Sequence, residues 1–189
     1  MINDILSKIQ QAFYKYVILS YNIGMRLFIA SPVILDDYQS IKQDFQGIIE
    51  GKWVEEENLH LTWVFLGKCE DAEAIKAQLA SITPLEAEVT VAELGYFGRL
   101  PRILFAKAES KLLYDKAKEF KTVGFDLYRF KPHITLCRIK QIHDYKAYKE
   151  VLKSYREKPL GKIIPEISLY QSDLGRDGAH YTQLTDLAN

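Results

Sequence analysis

The spacing of apolar residues divides the chain into short strands and helices. Near the amino terminus, apolar residues from Ile2 to Tyr16 recur at helical spacing and predict an amphipathic helix before Gly24. Helical spacing with end signals predicts further helices from Asp36 to Gly51 and at 71–80, 110–121 and 144–155. Alternating or β-branched runs predict strands at 26–30, 53–54, 59–66, 87–94, 102–108, 133–139, 162–172 and 180–184, with 125–130 as a strand or an extended approach.

The order of these elements favours an α+β fold with antiparallel sheets. Helices and strands are mixed without the regular βαβ spacing of a parallel sheet, and the second half of the chain repeats the plan of the first. We therefore predict two similar lobes, each with an antiparallel sheet and flanking helices. The predicted division is a helical extension at 1–24 and a two-lobed domain at 25–189.

The composition is that of a globular protein, and the zero net charge does not indicate whether the protein binds nucleic acid. The chain has 189 residues, 48% of them hydrophobic, and a formal net charge of zero. Residues 99–140 hold eleven Lys and Arg against four Asp and Glu. This basic segment either faces phosphates or lines the solvated face of a helix. Two cysteines suit a reducing cytoplasm, and neither a membrane-length apolar run nor a signal peptide is visible.

One short pattern occurs twice and carries the chemistry. His60-Leu-Thr-Trp and His133-Ile-Thr-Leu each lie inside a predicted strand, 73 residues apart, about one lobe. Because strand side chains alternate between faces, each His and the Thr two residues later point the same way. Two such strands side by side would present two imidazoles and two hydroxyls to one ligand.

This set of side chains suits phosphodiester hydrolysis without a metal. An imidazole has a pKa near 6.5, so one ring can accept a proton from water while the other donates to the leaving oxygen. Threonine hydroxyls can bind the phosphate oxygens. His143 and His180 share no motif, and the sequence has no cluster with metal-ligand spacing. We expect no metal and no cofactor.

The motifs and their surroundings resemble the two-histidine phosphoesterases, specifically the LigT/ThpR-like RNA 2′,3′-cyclic phosphodiesterases, also called 2′-5′ RNA ligases. The resemblance covers residues 25–187. It is carried by 26–30 as a first strand, by the two motif segments 53–67 and 130–138, and by 169–184 as a closing hairpin. It implies two lobes related by a pseudo-two-fold axis with a central groove between them.

The resemblance also implies roles. His60 would donate the proton to the departing ribose oxygen and His133 would activate water, while Thr62 and Thr135 bind the cyclic phosphate. The implied product is a 2′-phosphomonoester, and the reverse reaction would give 2′-5′ ligation without ATP. Arg138 matches a family arginine that helps to hold the phosphate. Strand parity places it on the face opposite His133, so it can reach the site only if the strand twists, bulges or ends there.

Several alternatives stay open from the sequence. Phe28 either stacks on a base or fills the core. The segment 95–101 is predicted as a loop that either lines the RNA path or packs on Tyr96 and Phe97. The substrate is expected to be an RNA end, with tRNA as one candidate. The alternatives are a small cyclic nucleotide or tRNA-splicing by-product, or an RNA-end-binding module without catalysis. We expect a cytoplasmic monomer.

Overall fold

The computed structural model describes residues 24–127, 129–175 and 178–185. In these ranges the strands are β1 (Met25–Leu35), β2 (Ile49–Trp53), β3 (His60–Cys69), β4 (Val89–Phe97), β5 (Ile103–Lys107), β6 (His133–Ile142), β7 (Pro159–Ile163), β8 (Ser168–Leu174) and β9 (Ala179–Gln183). The helices are α1 (Tyr38–Asp44), α2 (Ala72–Leu79), α3 (Lys111–Thr122) and α4 (Tyr145–Ser154). The predicted helical extension at 1–24 lies outside the described residues, apart from Gly24.

Each helix begins after a side chain that accepts a hydrogen bond from a backbone N–H of the first turn. This arrangement satisfies donors that have no partner within the helix. The capping residues are Asp37, Asp71, Ser110 and Asp144. The same four polar residues mark helix starts in the sequence, so the four helix starts are confirmed to within a residue or two.

All strand pairs are antiparallel, as the sequence predicts, but the strands form one hydrogen-bonded network instead of two sheets. The order β3-β1-β7-β4-β5-β6 closes on itself because β6 also pairs with β3. β2 adds to β6, and the β8–β9 hairpin adds to β1. Two sheets were predicted wrongly because β1 is long enough to pair with β3 along one edge and with both β8 and β7 along the other.

Three predicted boundaries also differ from the structure. The first helix ends at Asp44, well before Gly51, since Gly47 takes a positive φ of 74° and the chain turns into β2. The predicted strand at 162–172 is two strands, β7 and β8, separated by a break that contains Pro165. β4 continues through 95–97, which the sequence assigns to a loop. The described residues of 125–130 form no strand, and Arg129 lies in a turn with a positive φ of 51°, so the strand alternative for this segment is wrong.

The hydrophobic core holds the two motif strands rigidly from behind. Leu61 of β3 and Ile134 of β6 are both fully buried. Trp63 stacks between Phe120 and Phe130, with ring centroids 5.3 and 5.4 Å away. None of the described helices is long and apolar enough to cross a membrane.

Candidate active site

The two histidines lie at the starts of β3 and β6, where these strands cross. The crossing is antiparallel and pairs Leu61 with Ile134, which are the residues after each histidine. This register places His60 opposite Thr135 in the neighbouring strand and His133 opposite Thr62. Residues opposite each other across an antiparallel pair share a face. The four motif side chains therefore share one face, and the two apolar residues between them face the core.

Both imidazoles are held in the same way by the backbone. The Nδ1 atom of His60 lies 2.7 Å from the carbonyl oxygen of Asn58, and the Nδ1 atom of His133 lies 2.7 Å from the carbonyl oxygen of Lys131. A carbonyl oxygen can only accept, so each Nδ1 carries the proton and donates it. In the neutral ring, Nε2 is then the nitrogen with a lone pair.

Aromatic side chains flank both histidines. The ring centroid of His60 lies 5.1 Å from that of Phe28 and 5.4 Å from that of Tyr181. The ring of His133 meets Phe97 at 4.7 Å and Phe105 at 5.6 Å, both edge to face. These contacts restrict the rotation of each imidazole ring, so the Nε2 atoms have defined positions.

A β-bulge in each motif strand changes which later residues face the site. Against β1, Ile29 pairs with Val64 and Ala30 with Thr62, so Trp63 is the extra residue of β3. Against β5, Leu104 pairs with Cys137 and Phe105 with Thr135, so Leu136 is the extra residue of β6. A one-residue insertion reverses the alternation beyond it.

The two bulges bring Phe65 and Arg138, each five residues after its histidine, onto the site face. Arg138 is exposed, and its charge acts on both His60 and Tyr181. Strand parity alone would place Arg138 on the opposite face, and the bulge at Leu136 is the irregularity that the sequence requires if Arg138 is to reach the site. Phe65 is 78% exposed.

A cavity of about 210 Å³ adjoins His60 on the side of β1 and the β8–β9 hairpin. It is lined by Arg26, Leu27, Phe28, His60, Phe65, Gly67, Ser172 and Tyr181. Phe28 is 4% exposed and packs against Tyr170 at 5.4 Å between ring centroids. Phe28 is thus buried and also forms one wall of this cavity, and whether its ring stacks on a base stays a prediction.

The environment of His60 opposes its protonated form. Burial lowers the pKa of His60 below its ordinary value of 6.5, and the positive charges of His133 and Arg138 lower it further. The hydrogen bond to the Asn58 carbonyl acts in the other direction. An anion placed between these groups would stabilise the imidazolium and raise this pKa.

The other polar candidates stand apart from this face. His143 and His180 are exposed; His143 follows the far end of β6, and His180 pairs with Asp173 in the β8–β9 hairpin. Within 24–127, 129–175 and 178–185, no three His, Cys, Asp or Glu side chains converge as potential metal ligands.

Comparisons with known proteins agree with this geometry. The family model described as LigT like Phosphoesterase matches residues 30–105. A relative from Aquifex aeolicus, named RNA 2',3'-cyclic phosphodiesterase, is 32% identical over 82% of this chain and 90% of its own length. The chain belongs to the LigT-like phosphoesterases. A second relative with the same name, from Methanocaldococcus jannaschii, is 32% identical over 83% of this LigT-like chain and 96% of its own.

Solved structures show the same fold for this LigT-like phosphoesterase. E. coli LigT in complex with phosphate superposes with a TM-score of 0.61 at 24% identity, over 86% of this chain and 96% of that chain. A protein of Thermus thermophilus superposes with a TM-score of 0.62 at 25% identity, over 85% and 96%. The α+β architecture is thus confirmed by similarity to experimental structures.

The LigT-like site contains residues that the sequence patterns do not single out. Phe65 and Phe105 reach the site face through strand register, and Lys52 of β2 lies opposite Arg138 of β6. The ring of Phe97, which the sequence does name, contacts His133. Phe97 belongs to the segment 95–101, so this segment contributes a side chain to the surroundings of His133. Local alternation could have found Phe105, but the others depend on bulges and on pairing between distant strands.

Proposed function

We propose that this chain hydrolyses the 2′,3′-cyclic phosphate termini of RNA to 2′-phosphomonoesters. The observation that carries the proposal is the single antiparallel crossing that places two histidine–threonine pairs on one face. The type of substrate is supported by the two relatives named RNA 2',3'-cyclic phosphodiesterase, which match over most of both chains.

In this proposal the cyclic phosphate lies between the two histidines. The hydroxyls of Thr62 and Thr135 donate hydrogen bonds to its non-bridging oxygens, and the guanidinium of Arg138 stabilises the negative charge that develops there. The cavity beside His60 receives part of the terminal nucleoside, with Phe28 as one of its walls.

The chemical step moves two protons in opposite directions. His133 Nε2 accepts a proton from water while the water oxygen attacks phosphorus. The bond between phosphorus and the 3′ oxygen breaks, and the protonated Nε2 of His60 donates its proton to that oxygen. The product carries the phosphate on the 2′ oxygen, and proton exchange with solvent resets both rings. Each transfer typically contributes about 10²–10⁴ in rate.

The substrate itself prepares His60 for this role. In the free site, burial and nearby cations lower the pKa of His60 and favour its neutral form. A bound phosphate carries the negative charge that reverses this balance. The acid is therefore formed mainly when the substrate is present, which limits unproductive protonation of the empty site.

The proposal also covers cofactors, the reverse reaction, the RNA substrate and the state of the enzyme in the cell. The reaction needs no metal or cofactor, because two imidazoles supply both proton transfers. Run in reverse, with an RNA 5′-hydroxyl as the attacking group, the same site joins RNA ends through a 2′-5′ linkage. We also propose that tRNA is among the substrates and that the enzyme acts as a cytoplasmic monomer.

The test is hydrolysis of an oligonucleotide ending in a 2′,3′-cyclic phosphate, followed by determination of which hydroxyl retains the phosphate. We expect a 2′-phosphate product, and a loss of at least about 10²-fold in kcat for His60→Ala and for His133→Ala. His143→Ala, which removes an exposed imidazole away from the site, should keep wild-type activity.

Two other results would point to different functions. Turnover of a mononucleotide cyclic phosphate with none of the oligonucleotide would indicate an enzyme for small cyclic nucleotides. If wild type, His60→Ala and His133→Ala all bind the RNA end alike and hydrolyse nothing, the protein is a binding module.

A further inference from the structure

We propose that Lys52 binds the phosphate chain of the RNA next to the reacting end, so that oligonucleotides are preferred over mononucleotides. This inference rests on the proposed function and extends it to the choice of substrate. Lys52 lies outside both histidine motifs, on β2, and is brought to the site by strand pairing alone.

Strand register places Lys52 beside Arg138 on the site face. Lys52 and Arg138 are direct partners in the β2–β6 ladder, and both side chains are exposed. Directly opposite residues share a face, with side chains about 5 Å apart at Cβ. The bulge that turns Arg138 toward the histidines therefore brings Lys52 with it.

The ammonium group of Lys52 reaches the turn between β8 and β9. A methyl group built on Gly178, in the turn between β8 and β9, would lie 3.3 Å from the Lys52 Nζ atom. The β9 strand of this hairpin also carries Tyr181, which contacts the His60 ring. Lys52 thus lies at one end of the space bounded by β6 and the hairpin, next to Arg138 and beyond the histidines.

Placing the charges of Lys52 and Arg138 side by side destabilises the strand pair unless an anion lies near them. Like charges directly opposite in a ladder destabilise it, and no carboxylate of the described residues pairs with Lys52 or Arg138. Other lysines on the strands of this protein form salt bridges with glutamate side chains. Lys140 pairs with Glu50 at 2.6 Å on these same two strands, and Lys162 pairs with Glu88 at 2.7 Å.

The chemistry of this pair fits two phosphates in succession. Arg138, whose charge acts on His60, is within the electrostatic reach of the reacting phosphate. Lys52 is one strand farther out and is a mobile point charge, which suits a phosphodiester whose position varies with the sugar conformation. A mononucleotide has no phosphodiester to place there, whereas an oligonucleotide has one.

The experiment compares two substrates in Lys52→Gln, an oligonucleotide with a 2′,3′-cyclic end and a nucleoside 2′,3′-cyclic monophosphate. We expect the ratio of kcat/KM for the oligonucleotide to that for the mononucleotide to fall roughly 3- to 10-fold, since one phosphate contact is lost. Lys52→Arg should restore the ratio. Lys118→Gln removes an exposed lysine of α3 and should leave the ratio at the wild-type value.

Binding provides a readout that does not depend on turnover. For an oligonucleotide that already ends in a 2′-phosphate, the slope of log K against log salt should fall by about 1 in Lys52→Gln. An unchanged ratio together with an unchanged slope overturns the role of Lys52, as does an equal loss with both substrates. Failure of wild type to hydrolyse either substrate would instead contradict the proposed function, while the binding slopes still decide the role of Lys52.

Discussion

At the scale of single residues, the two histidines share a motif and a backbone hydrogen bond but have different surroundings. His60 is enclosed by Phe28 and Tyr181, and burial lowers its pKa. His133 meets two ring edges on a more open part of the face. A repeated motif thus produces an unequal pair, and acid–base chemistry requires such a pair because one ring must lose a proton while the other gains one.

The pH dependence of the reaction should report the state of His60. A general acid must be protonated, so activity falls as pH rises through its pKa. Because the pKa of His60 is lowered in the free enzyme, we expect the alkaline limb of kcat/KM to have its midpoint below about 6.5. The bound phosphate raises this pKa, so the alkaline limb of kcat should lie at higher pH. Steady-state kinetics across the acid and alkaline limbs measure both midpoints.

A charge-removing variant checks the cause of this shift. The positive charge of Arg138 lowers the pKa of His60, so Arg138→Gln should move the alkaline limb of kcat/KM toward higher pH, besides weakening substrate binding. Coincident limbs of kcat and kcat/KM in wild type would contradict the assignment of His60 as the acid.

At the scale of elements, the first bulge after the motif in each of β3 and β6 decides what the site contains. The bulges at Trp63 and Leu136 reverse the alternation, so Phe65 and Arg138 join the histidines. The two bulges contribute different chemistry to the face, since one adds the aromatic ring of Phe65 and the other adds the cation of Arg138. Bulges of this kind bend a strand and redirect side chains.

The bulge in β3 is held by a buried hydrogen bond to β1. Trp63 Nε1 donates to Ser31 Oγ at 2.9 Å, and both residues are buried. Ser31→Ala would leave the indole N–H without a partner, at a cost of about 1–3 kcal/mol in the free energy of unfolding. Denaturant unfolding measures this loss.

The matched control for Ser31→Ala is Ser154→Ala, which removes an exposed hydroxyl that bonds to the carbonyl of Val151. It should change the free energy of unfolding by less than about 0.5 kcal/mol. Equal effects of the two variants would show that the buried bond to Trp63 contributes little to stability.

At the scale of the whole molecule, the strands close into a ring, and the ring holds the two motifs together. β3 and β6 meet directly, and the path β3-β1-β7-β4-β5-β6 joins them again around the other side. The crossing is thus connected from two directions, so the histidines cannot separate without breaking strand pairs. The fold therefore preorganises both proton-transfer groups before the substrate arrives.

Because one folded chain supplies both proton-transfer groups, the reaction should proceed without a divalent ion. We expect hydrolysis of the cyclic end in excess EDTA at the same rate as in untreated buffer, and no gain on adding Mg²⁺, Mn²⁺ or Zn²⁺. A loss of activity in EDTA that a divalent ion restores would count against the two-histidine scheme. Circular dichroism with and without EDTA would show whether such a loss reflects unfolding.

Local patterns in the sequence predict the helix starts, the two motif strands, and the alternation that buries Leu61 and Ile134. These features depend on periodicity and capping within about ten residues, so they can be read without a partner segment. The same patterns predict that His60 and His133 stand beside their threonines. Assigning catalytic roles to them remains a prediction.

Only the tertiary structure decided which residues from distant parts of the chain join the two histidine–threonine pairs at the site. Three features depend on the register between strands that are far apart in the chain. They are the closure of the strands into a ring, the bulges that turn Arg138 and Phe65 toward the site face, and the pairing of Lys52 with Arg138. A shift of one residue in register moves a side chain to the other face of a sheet. No pattern within a single strand records that shift, because the partner strand creates it.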